Sequence, residues 1–198
     1  MKILIITFAI SIYSLTAMAV NPSSAKVKIY KVSASPNTNC SDAVTIQSVS
    51  SPDYVEMTSV NISGALADGT YPCIIFEIGD NIKFTPESTT GSCAGGTEYT
   101  INVCRSGTYR LADGTTGTCT TSEERVGVFI STLSTNTGGG SGNAFYPPTS
   151  GSATDGIKLD GALVKSGAKT TTFVLNLDGK IDGTGGSCDM QPPLFQFR

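Results

Sequence analysis

The sequence contains no histidine and no tryptophan, and only 15% of its residues are charged. Without histidine, the Ser-His-Asp and Cys-His catalytic arrangements and the histidine-ligated metal centres are excluded. The chain also has no run of Lys or Arg, and its formal net charge is -3. Because nucleic-acid binding needs a basic patch, we expect no nucleic-acid partner.

Long apolar runs are also missing, and none reaches the roughly twenty residues that a membrane-spanning helix needs. The run Ile3–Leu15 follows Lys2 and precedes the small-x-small pattern at residues 17–19, which is typical of a secretory signal peptide. We therefore predict a signal peptide at residues 1–19 and one exported domain at residues 20–198. With no stable membrane span after signal removal, its destination is the periplasm, the cell surface or the extracellular medium.

All cysteines of the chain fall in the predicted mature part, and their even number in an oxidising compartment predicts three disulfides. No two of them have the short spacing of a zinc site, so we expect no metal and no other cofactor. Three lie in one Gly- and Thr-rich stretch, which predicts a bridge within that cluster and a distant partner for its third member. The six disulfide residues are Cys40, Cys73, Cys93, Cys104, Cys119 and Cys188.

Alternation with a period of two dominates the pattern of apolar residues, which is typical of β-strands. The predicted strands are residues 26–33, 43–47, 54–60, 71–78, 81–85, 99–103, 125–131, 157–160, 171–177 and 194–197. The apolar faces of these strands predict a core. Its members are Val27, Ile29, Ile74, Phe76, Ile78, Val126, Val128, Ile130, Phe173, Leu175 and Leu177.

Asp-Gly pairs between these strands predict tight turns, most of them in hairpins. They begin at Asp68, Asp113, Asp155, Asp160, Asp178 and Asp182. No ten-residue amphipathic helix pattern occurs, so βαβ units are not expected. The sequence therefore predicts an all-β fold, an antiparallel β-sandwich stapled by disulfides with little helix outside the signal peptide.

Paired carboxylates are the catalytic chemistry that remains possible, as in glycoside hydrolysis. Glu77 is the first candidate because it lies within an apolar strand, on the face shared by Cys73 and Ile75. The alternative is that this face is solvated near a sheet edge, and we favour it. The Glu123-Glu124 pair could supply a second acid, but a surface turn is the simpler interpretation. We therefore expect no catalytic residues and no enzyme.

Two further segments carry polar or aromatic groups in loops. Asp178 to Gly183, with Asp189 further on, offers oxygen ligands for calcium, but Lys180 occupies a ligand position and a hairpin turn is expected instead. Phe145 and Tyr146 stand in a polar loop at residues 136–156. They are possible partner contacts, since amphipathic rings often anchor a protein or glycan, although packing onto the sandwich is the more common outcome.

A turn followed by Gly-x-Tyr and an apolar strand occupies Leu66–Ile78, and it includes the sequence Asp-Gly-Thr-Tyr-Pro-Cys at residues 68–73. This segment resembles transthyretin-like and immunoglobulin-like β-sandwiches of exported bacterial proteins. The stretch Lys26–Thr85 and the tail Cys188–Pro193 look like small, uncharacterised exported bacterial proteins with disulfides. The resemblance implies a sandwich fold and brings no known activity.

Three functions are then compatible with the sequence. The first, which we favour, is a non-catalytic binding or adhesion module of the cell envelope or medium that presents loops to a protein or glycan partner. The second is a structural subunit that self-associates by strand donation, as fimbrial subunits do, which a missing strand and an open groove would support. The third is a carboxylate-dependent hydrolase.

Overall fold

The structure is a computed structural model that describes residues 19–59, 66–138, 143–167, 169–170 and 173–197. Most of the predicted signal peptide, residues 1–18, lies outside the described residues. So do Val60, Thr171 and Thr172 of the predicted strands, and residues 139–142 of the predicted loop.

Nearly every regular element of the described chain is a strand, and the only helices there are two single 3-10 turns, η1 (Met57–Ser59) and η2 (Thr184–Gly186). The all-β fold with little helix is confirmed. The strands are β1 (Pro22–Ser35), β2 (Val44–Ser48), β3 (Tyr54–Glu56), β4 (Gly69–Tyr71), β5 (Cys73–Gly79), β6 (Asn81–Pro86), β7 (Tyr99–Asn102), β8 (Thr108–Arg110), β9 (Thr116–Thr118), β10 (Arg125–Ser131), β11 (Ile157–Asp160), β12 (Leu163–Ser166), β13 (Lys169–Thr170), β14 (Phe173–Asn176), β15 (Ile181–Asp182), β16 (Asp189–Met190) and β17 (Leu194–Phe197).

The long strand β1 lies inside the main sheet and pairs with four other strands. Along one edge it pairs with β5 and then β6, which follow each other directly in the chain. Along the other edge it pairs with β2 and β3. The first half of β1 buries Ala25, Val27 and Ile29 in alternation, whereas residues 32–35 are buried on both faces. The first half of β1 therefore contributes side chains to the core from one face, and residues 32–35 contribute them from both faces.

The main sheet continues beyond β5 through β10, β11 and β17 to β14, and beyond β6 to β7. Its pairings are antiparallel except for two, β10 with β11 and β11 with β17, which are parallel. The long connection of residues 132–156 makes the first of these possible, because a parallel pair cannot be joined by a tight turn. The predicted antiparallel sandwich thus contains a parallel segment that the strand pattern did not indicate.

The main sheet is strongly curled, so that its two limbs face each other as the layers of a sandwich. Three strands separate β14 from β5 within the sheet, yet the rings of Phe173 and Phe76 lie 5.4 Å apart between centroids. Phe173 also packs against Phe195 and Phe197 on β17. Burying these aromatic rings between the limbs is a large apolar contribution to stability.

The predicted core is confirmed for the first limb of the sheet. Eight of its members are buried: Val27, Ile29, Ile74, Phe76, Ile78, Val126, Val128 and Ile130. Phe173, Leu175 and Leu177 are only partly buried and pack against that core from the β14 limb. Leu177 lies just beyond the end of β14.

The prediction that most Asp-Gly pairs form hairpin turns is wrong. Asp113 and Gly114 do turn the tight hairpin between β8 and β9. The glycines after Asp155, Asp160 and Asp178 also adopt positive φ, as a tight turn requires. However, none of the three turns a hairpin. Gly156 lies in the long connection between β10 and β11, which pair in parallel, and Gly161 and Gly179 lie where the chain leaves the main sheet for another sheet.

Three disulfides staple the fold, as predicted. Cys104 pairs with Cys119 inside the Gly- and Thr-rich stretch, Cys93 with Cys188, and Cys40 with Cys73. In the chain-entropy model, closing loops of 15 to 100 residues stabilises a fold by about 3 to 5 kcal/mol per bridge. Disulfides of this kind persist in oxidising compartments, so they indicate an extracytoplasmic location. Within the described ranges, no helix has the length and apolar character needed to cross a membrane.

Candidate functional site

The concave side of the curled sheet contains a cavity of about 420 Å³. Its floor is the inner face of the sheet, to which β5, β6, β7 and β10 contribute. Apolar side chains from η1, from β16 and from the loop around residue 144 complete its lining. The apolar lining consists of Met57, Ile78, Ile82, Ile101, Val103, Val128, Ala144, Phe145, Ile157, Met190, Pro192, Pro193 and Phe195.

Polar groups occur at few points of this cavity, and none of the described lining residues is charged. Ser106 and Gln191 are exposed side chains, so the cavity meets solvent beside them. Asn143 is already engaged, because its Oδ1 accepts the Phe145 N–H at 2.9 Å and its Nδ2 donates to the Thr108 carbonyl at 3.1 Å. Small-molecule sites in proteins are commonly apolar clefts of about 300–1,000 Å³ with few polar groups, and this cavity fits that description.

Two disulfides hold the rim of the cavity. Cys104, bonded to Cys119, lies between Val103 and Ser106 on one side, and Cys188, bonded to Cys93, stands two residues before Met190 on the other. The two sides are joined by an ion pair in which Arg105 donates to Asp189 Oδ1 at 2.6 Å. This pair lowers the pKa of Asp189, with a further contribution from the Ser187 hydroxyl. The two disulfides and the ion pair therefore hold the two sides of the rim together.

A smaller pocket of about 50 Å³ adjoins the cavity between the two limbs of the sheet. It is lined entirely by apolar residues, and it shares Met57, Ile78, Val128 and Phe195 with the larger space. Phe76, Phe173 and Leu175 surround its inner part. The two apolar spaces therefore lie side by side on the concave side of the sheet, and the smaller one lies where Phe173 of β14 faces Phe76 of β5.

Phe145 and Tyr146, the predicted partner contacts, pack onto the sandwich. Both are partly buried. The Phe145 ring lines the cavity, and the Tyr146 hydroxyl shares a hydrogen bond of 2.9 Å with Thr108 Oγ1. Backbone bonds fix the segment, since Arg110 donates its N–H to the Phe145 carbonyl at 3.0 Å. Any ligand contact of Phe145 would consequently be made inside the cavity rather than on an outward loop.

Glu77 is buried, and the favoured prediction of a solvated face near a sheet edge is wrong. Its strand β5 is central, between β1 and β10, and the side chain is 1% exposed. Its carboxylate forms ion pairs with Arg125 and, at 3.8 Å, with Lys31. It also accepts the Ala112 N–H at 3.0 Å. A buried charge needs such partners, so Glu77 anchors the β8–β9 hairpin to the sheet.

Gly127 explains how the hairpin comes so close to Glu77. It lies directly opposite Glu77 on β10, and a Cβ at this position would overlap the Arg110 carbonyl oxygen. Only glycine admits that approach. On the same outer face of the sheet, Cys40, Cys73, Ile75 and Phe129 form a second small core, against which Ala112 of the hairpin packs.

The other acidic candidates also have partners. Glu123 pairs with Lys28 at 2.8 Å, and Glu124 accepts the Thr120 N–H at 3.0 Å. These contacts agree with the predicted surface turn. Asp182 Oδ1 accepts the Thr184 N–H at 2.8 Å. Within the described ranges, no three cysteine or acidic residues gather as a metal site would require.

Asp80 is an acid that the sequence did not single out. It is fully buried between β5 and β6, where its Oδ1 accepts the Glu124 N–H at 2.8 Å. Its Oδ2, and Oδ1 of the neighbouring Asn102, are buried without a hydrogen-bond partner among the described residues. Burial raises the pKa of Asp80, and the hydrogen bond from the Glu124 N–H opposes that rise.

Comparisons of the chain with protein-family models, with curated proteins and with solved structures found no match. The resemblance to transthyretin-like and immunoglobulin-like sandwiches therefore stays a prediction. Inferences about function have to come from the site itself, because a fold alone does not specify an activity.

Proposed function

We propose that the mature chain is an exported, non-catalytic binding module that holds a small, uncharged and mostly apolar molecule in the cavity of the curled sheet. The observation that carries the proposal is the uncharged lining of a space of about 420 Å³ that meets solvent beside Ser106 and Gln191. An ionic ligand would lose its hydration there without gaining a partner, whereas an apolar one would lose only unfavourable contact with water.

This proposal modifies the sequence-based idea of a module that presents loops to a partner. Phe145 contributes to the cavity wall instead of projecting outward. Glu77, the strongest catalytic candidate, has cationic partners and a structural role, which supports a non-catalytic function. The module would act in the periplasm, at the cell surface or in the medium.

A fluorescence titration tests the proposal, and the absence of tryptophan from the chain makes it direct. In a Phe145→Trp variant the new indole would stand in the cavity wall. We expect its emission to change as the uncharged probe N-phenyl-1-naphthylamine is added, and to saturate at one probe per chain. A Tyr54→Trp variant, with its indole on β3 outside the cavity, is the matched control and should respond less, because its indole is not in contact with the probe.

Two results would contradict the proposal. One is probe binding that does not saturate, and the other is an equal response from both tryptophan variants. Either result would mean that the probe associates with the surface and that the cavity does not bind it.

Self-association is a second candidate function, and one specific feature favours it. Strand β14 pairs with β17 on one edge, and within the described part of the chain no strand pairs with its other edge. A groove of about 360 Å³ lies beside β14 and the residues that follow it, and its lining includes Asn21, Thr58 and Gln196 of the paired strand β17. A strand from a second copy could be added there by backbone hydrogen bonds.

Size-exclusion chromatography with light scattering over a range of concentrations tests this second candidate. The oxidised chain of residues 20–198 would form oligomers as concentration rises. A Val174→Pro exchange, which disturbs hydrogen bonding along β14, should reduce them. A monomer at all concentrations would leave the cavity as the functional site.

A further inference from the structure

We infer that the ligand is a single-chain molecule with an unbranched alkyl tail and an uncharged polar head. This inference deepens the proposed function and rests on it. Its basis is the juxtaposition of three features: a polar rim, an apolar chamber, and a narrow apolar pocket beyond the chamber.

The narrow pocket determines that the tail of the ligand is unbranched. It has only about 50 Å³ and adjoins the chamber, with which it shares Met57, Ile78, Val128 and Phe195. A methylene chain can enter such a space one carbon wide, whereas a fused-ring or branched molecule of the same size stays in the chamber. A chain that crosses the chamber would place its end near Phe76 and Phe173.

The polar groups at the rim of the chamber determine which head group the ligand can carry. Ser106 and Gln191 are its exposed polar side chains. The cation that adjoins them, Arg105, is committed to Asp189 at 2.6 Å and to the Asn102 carbonyl at 3.1 Å. A carboxylate or phosphate head would meet a guanidinium whose charge Asp189 already neutralises, so it would gain little from Arg105. A hydroxyl or amide head can bond to Ser106 or Gln191 without breaking that pair.

The combined volume of the chamber and the pocket determines the length of the alkyl chain. A water molecule occupies about 30 Å³ in the liquid, so the chamber holds about 14 non-hydrogen atoms and the pocket about two more. The expected ligand therefore has about 12–15 carbons in its chain. Because burying one methylene is worth about 0.8 kcal/mol, each added carbon should tighten binding about fourfold until the space is full.

The test is displacement of N-phenyl-1-naphthylamine from the oxidised mature chain by a series of 1-alkanols from six to eighteen carbons. We expect an approximately fourfold gain per methylene that stops near 12–15 carbons. Dodecanol should bind more tightly than cyclododecanol, which has the same number of carbons but cannot enter the pocket. It should also bind more tightly than dodecanoate, whose charge has no partner at the rim.

Two variants locate the tail and the head. Val128→Phe adds bulk at a residue that lines both the chamber and the pocket, so the increase in affinity per methylene should stop at a shorter alkanol. The control Val44→Phe, on the exposed face of β2, should leave the affinities of all the alkanols unchanged. Ser106→Trp covers the rim at an exposed position where folding is not at risk. It should weaken all alkanols by tenfold or more, and a matched Thr100→Trp exchange on β7 should not.

The outcomes separate this inference from the proposed function. If the probe saturates at one per chain but affinity does not depend on alkanol length, or continues to rise to eighteen carbons, the alkyl-chain inference is wrong and the cavity function stands. If cyclododecanol binds as tightly as dodecanol, the pocket does not receive a tail. If the probe does not bind at one site, the proposed function itself fails.

Discussion

Replacing Asp80 by asparagine should make the protein more stable at neutral pH, although it removes a charged group from the junction between two strands. Asp80 is fully buried, its Oδ2 has no hydrogen-bond partner among the described residues, and the same is true of Asn102 Oδ1. A side-chain amide in place of the carboxylate would keep an oxygen for the Glu124 N–H and gain an NH₂ group that can donate to Asn102.

The expected change in the free energy of unfolding follows from the two buried oxygens, Asp80 Oδ2 and Asn102 Oδ1. Leaving a buried polar atom without a partner costs about 1–3 kcal/mol. Some of the gain is lost because the new amide must be held in one orientation, so we expect Asp80→Asn to increase the free energy of unfolding at pH 7 by about 1–2 kcal/mol. For a domain of this size, 1 kcal/mol raises Tm by about 2–4 °C. An Asp53→Asn exchange, at an exposed loop position, is the control and should change stability by less than about 0.5 kcal/mol.

The pH dependence supplies the sharper test. Burial raises the pKa of Asp80 in the folded state, so the folded chain holds this proton more tightly than the unfolded chain. The resulting stability is complete below the unfolded pKa of about 3.9 and is lost as pH rises through the folded pKa. The advantage of asparagine should therefore grow from pH 4 to pH 7.

Urea unfolding of both proteins at pH 4 and pH 7, followed by circular dichroism, measures this difference. A variant that is less stable than the parent at pH 7 would refute the assignment of Asp80 and Asn102 as unsatisfied partners. A difference that does not change with pH would show that the charge of Asp80 is not the cause.

Three further exchanges probe the packing, each measured as the free energy of unfolding in urea. Gly127→Ala should cost about 1–3 kcal/mol, since its Cβ would overlap the Arg110 carbonyl oxygen, whereas Gly69→Ala, with its nearest atoms at 3.7 Å, should be nearly neutral. Glu77→Ala should cost about 2–3 kcal/mol and Glu77→Gln less, because the amide keeps an acceptor for the Ala112 N–H; equal losses would contradict that role. Phe173→Ala should cost about 2 kcal/mol, less than the 3–5 kcal/mol of a fully buried ring, and a loss below about 1 kcal/mol would mean that the ring does not cover Phe76.

Strand positions can be predicted from the sequence wherever one face of a strand is buried. The predicted strands at residues 125–131, 157–160 and 194–197 have the same bounds as β10, β11 and β17. In β11 and β17 burial alternates along the strand, as the apolar pattern indicates, whereas β10 is buried on both faces. The pattern does not reveal the short strands β8, β9, β12, β13, β15 and β16. They lie in small sheets of two or three strands. Each strand is so short that an alternating pattern of apolar residues cannot be recognised in its sequence.

The candidate site can be predicted only in part, since its members come from distant parts of the chain. Phe145 stands out in the sequence as a contact residue, but the direction of its ring depends on the backbone bond between Arg110 and the Phe145 carbonyl. Glu77 stands out as an unusual acid, but its burial depends on Arg125, Lys31 and a hairpin that no local pattern connects to it. Asp80 does not stand out, because nothing in its neighbourhood distinguishes a buried aspartate from one in a turn.

Composition and residues close in the chain account for the excluded chemistry, the β-strand periodicity, the disulfide count and the bridge within the cysteine-rich stretch. The curl of the sheet, its two parallel pairings and the cavity have a different origin, since they arise only when the chain is folded. They depend on contacts between residues far apart in sequence, such as Phe76 with Phe173. Local patterns indicate most of the buried apolar residues, whereas the fold alone specifies what they are buried against and which polar residues, such as Glu77 and Asp80, are buried with them.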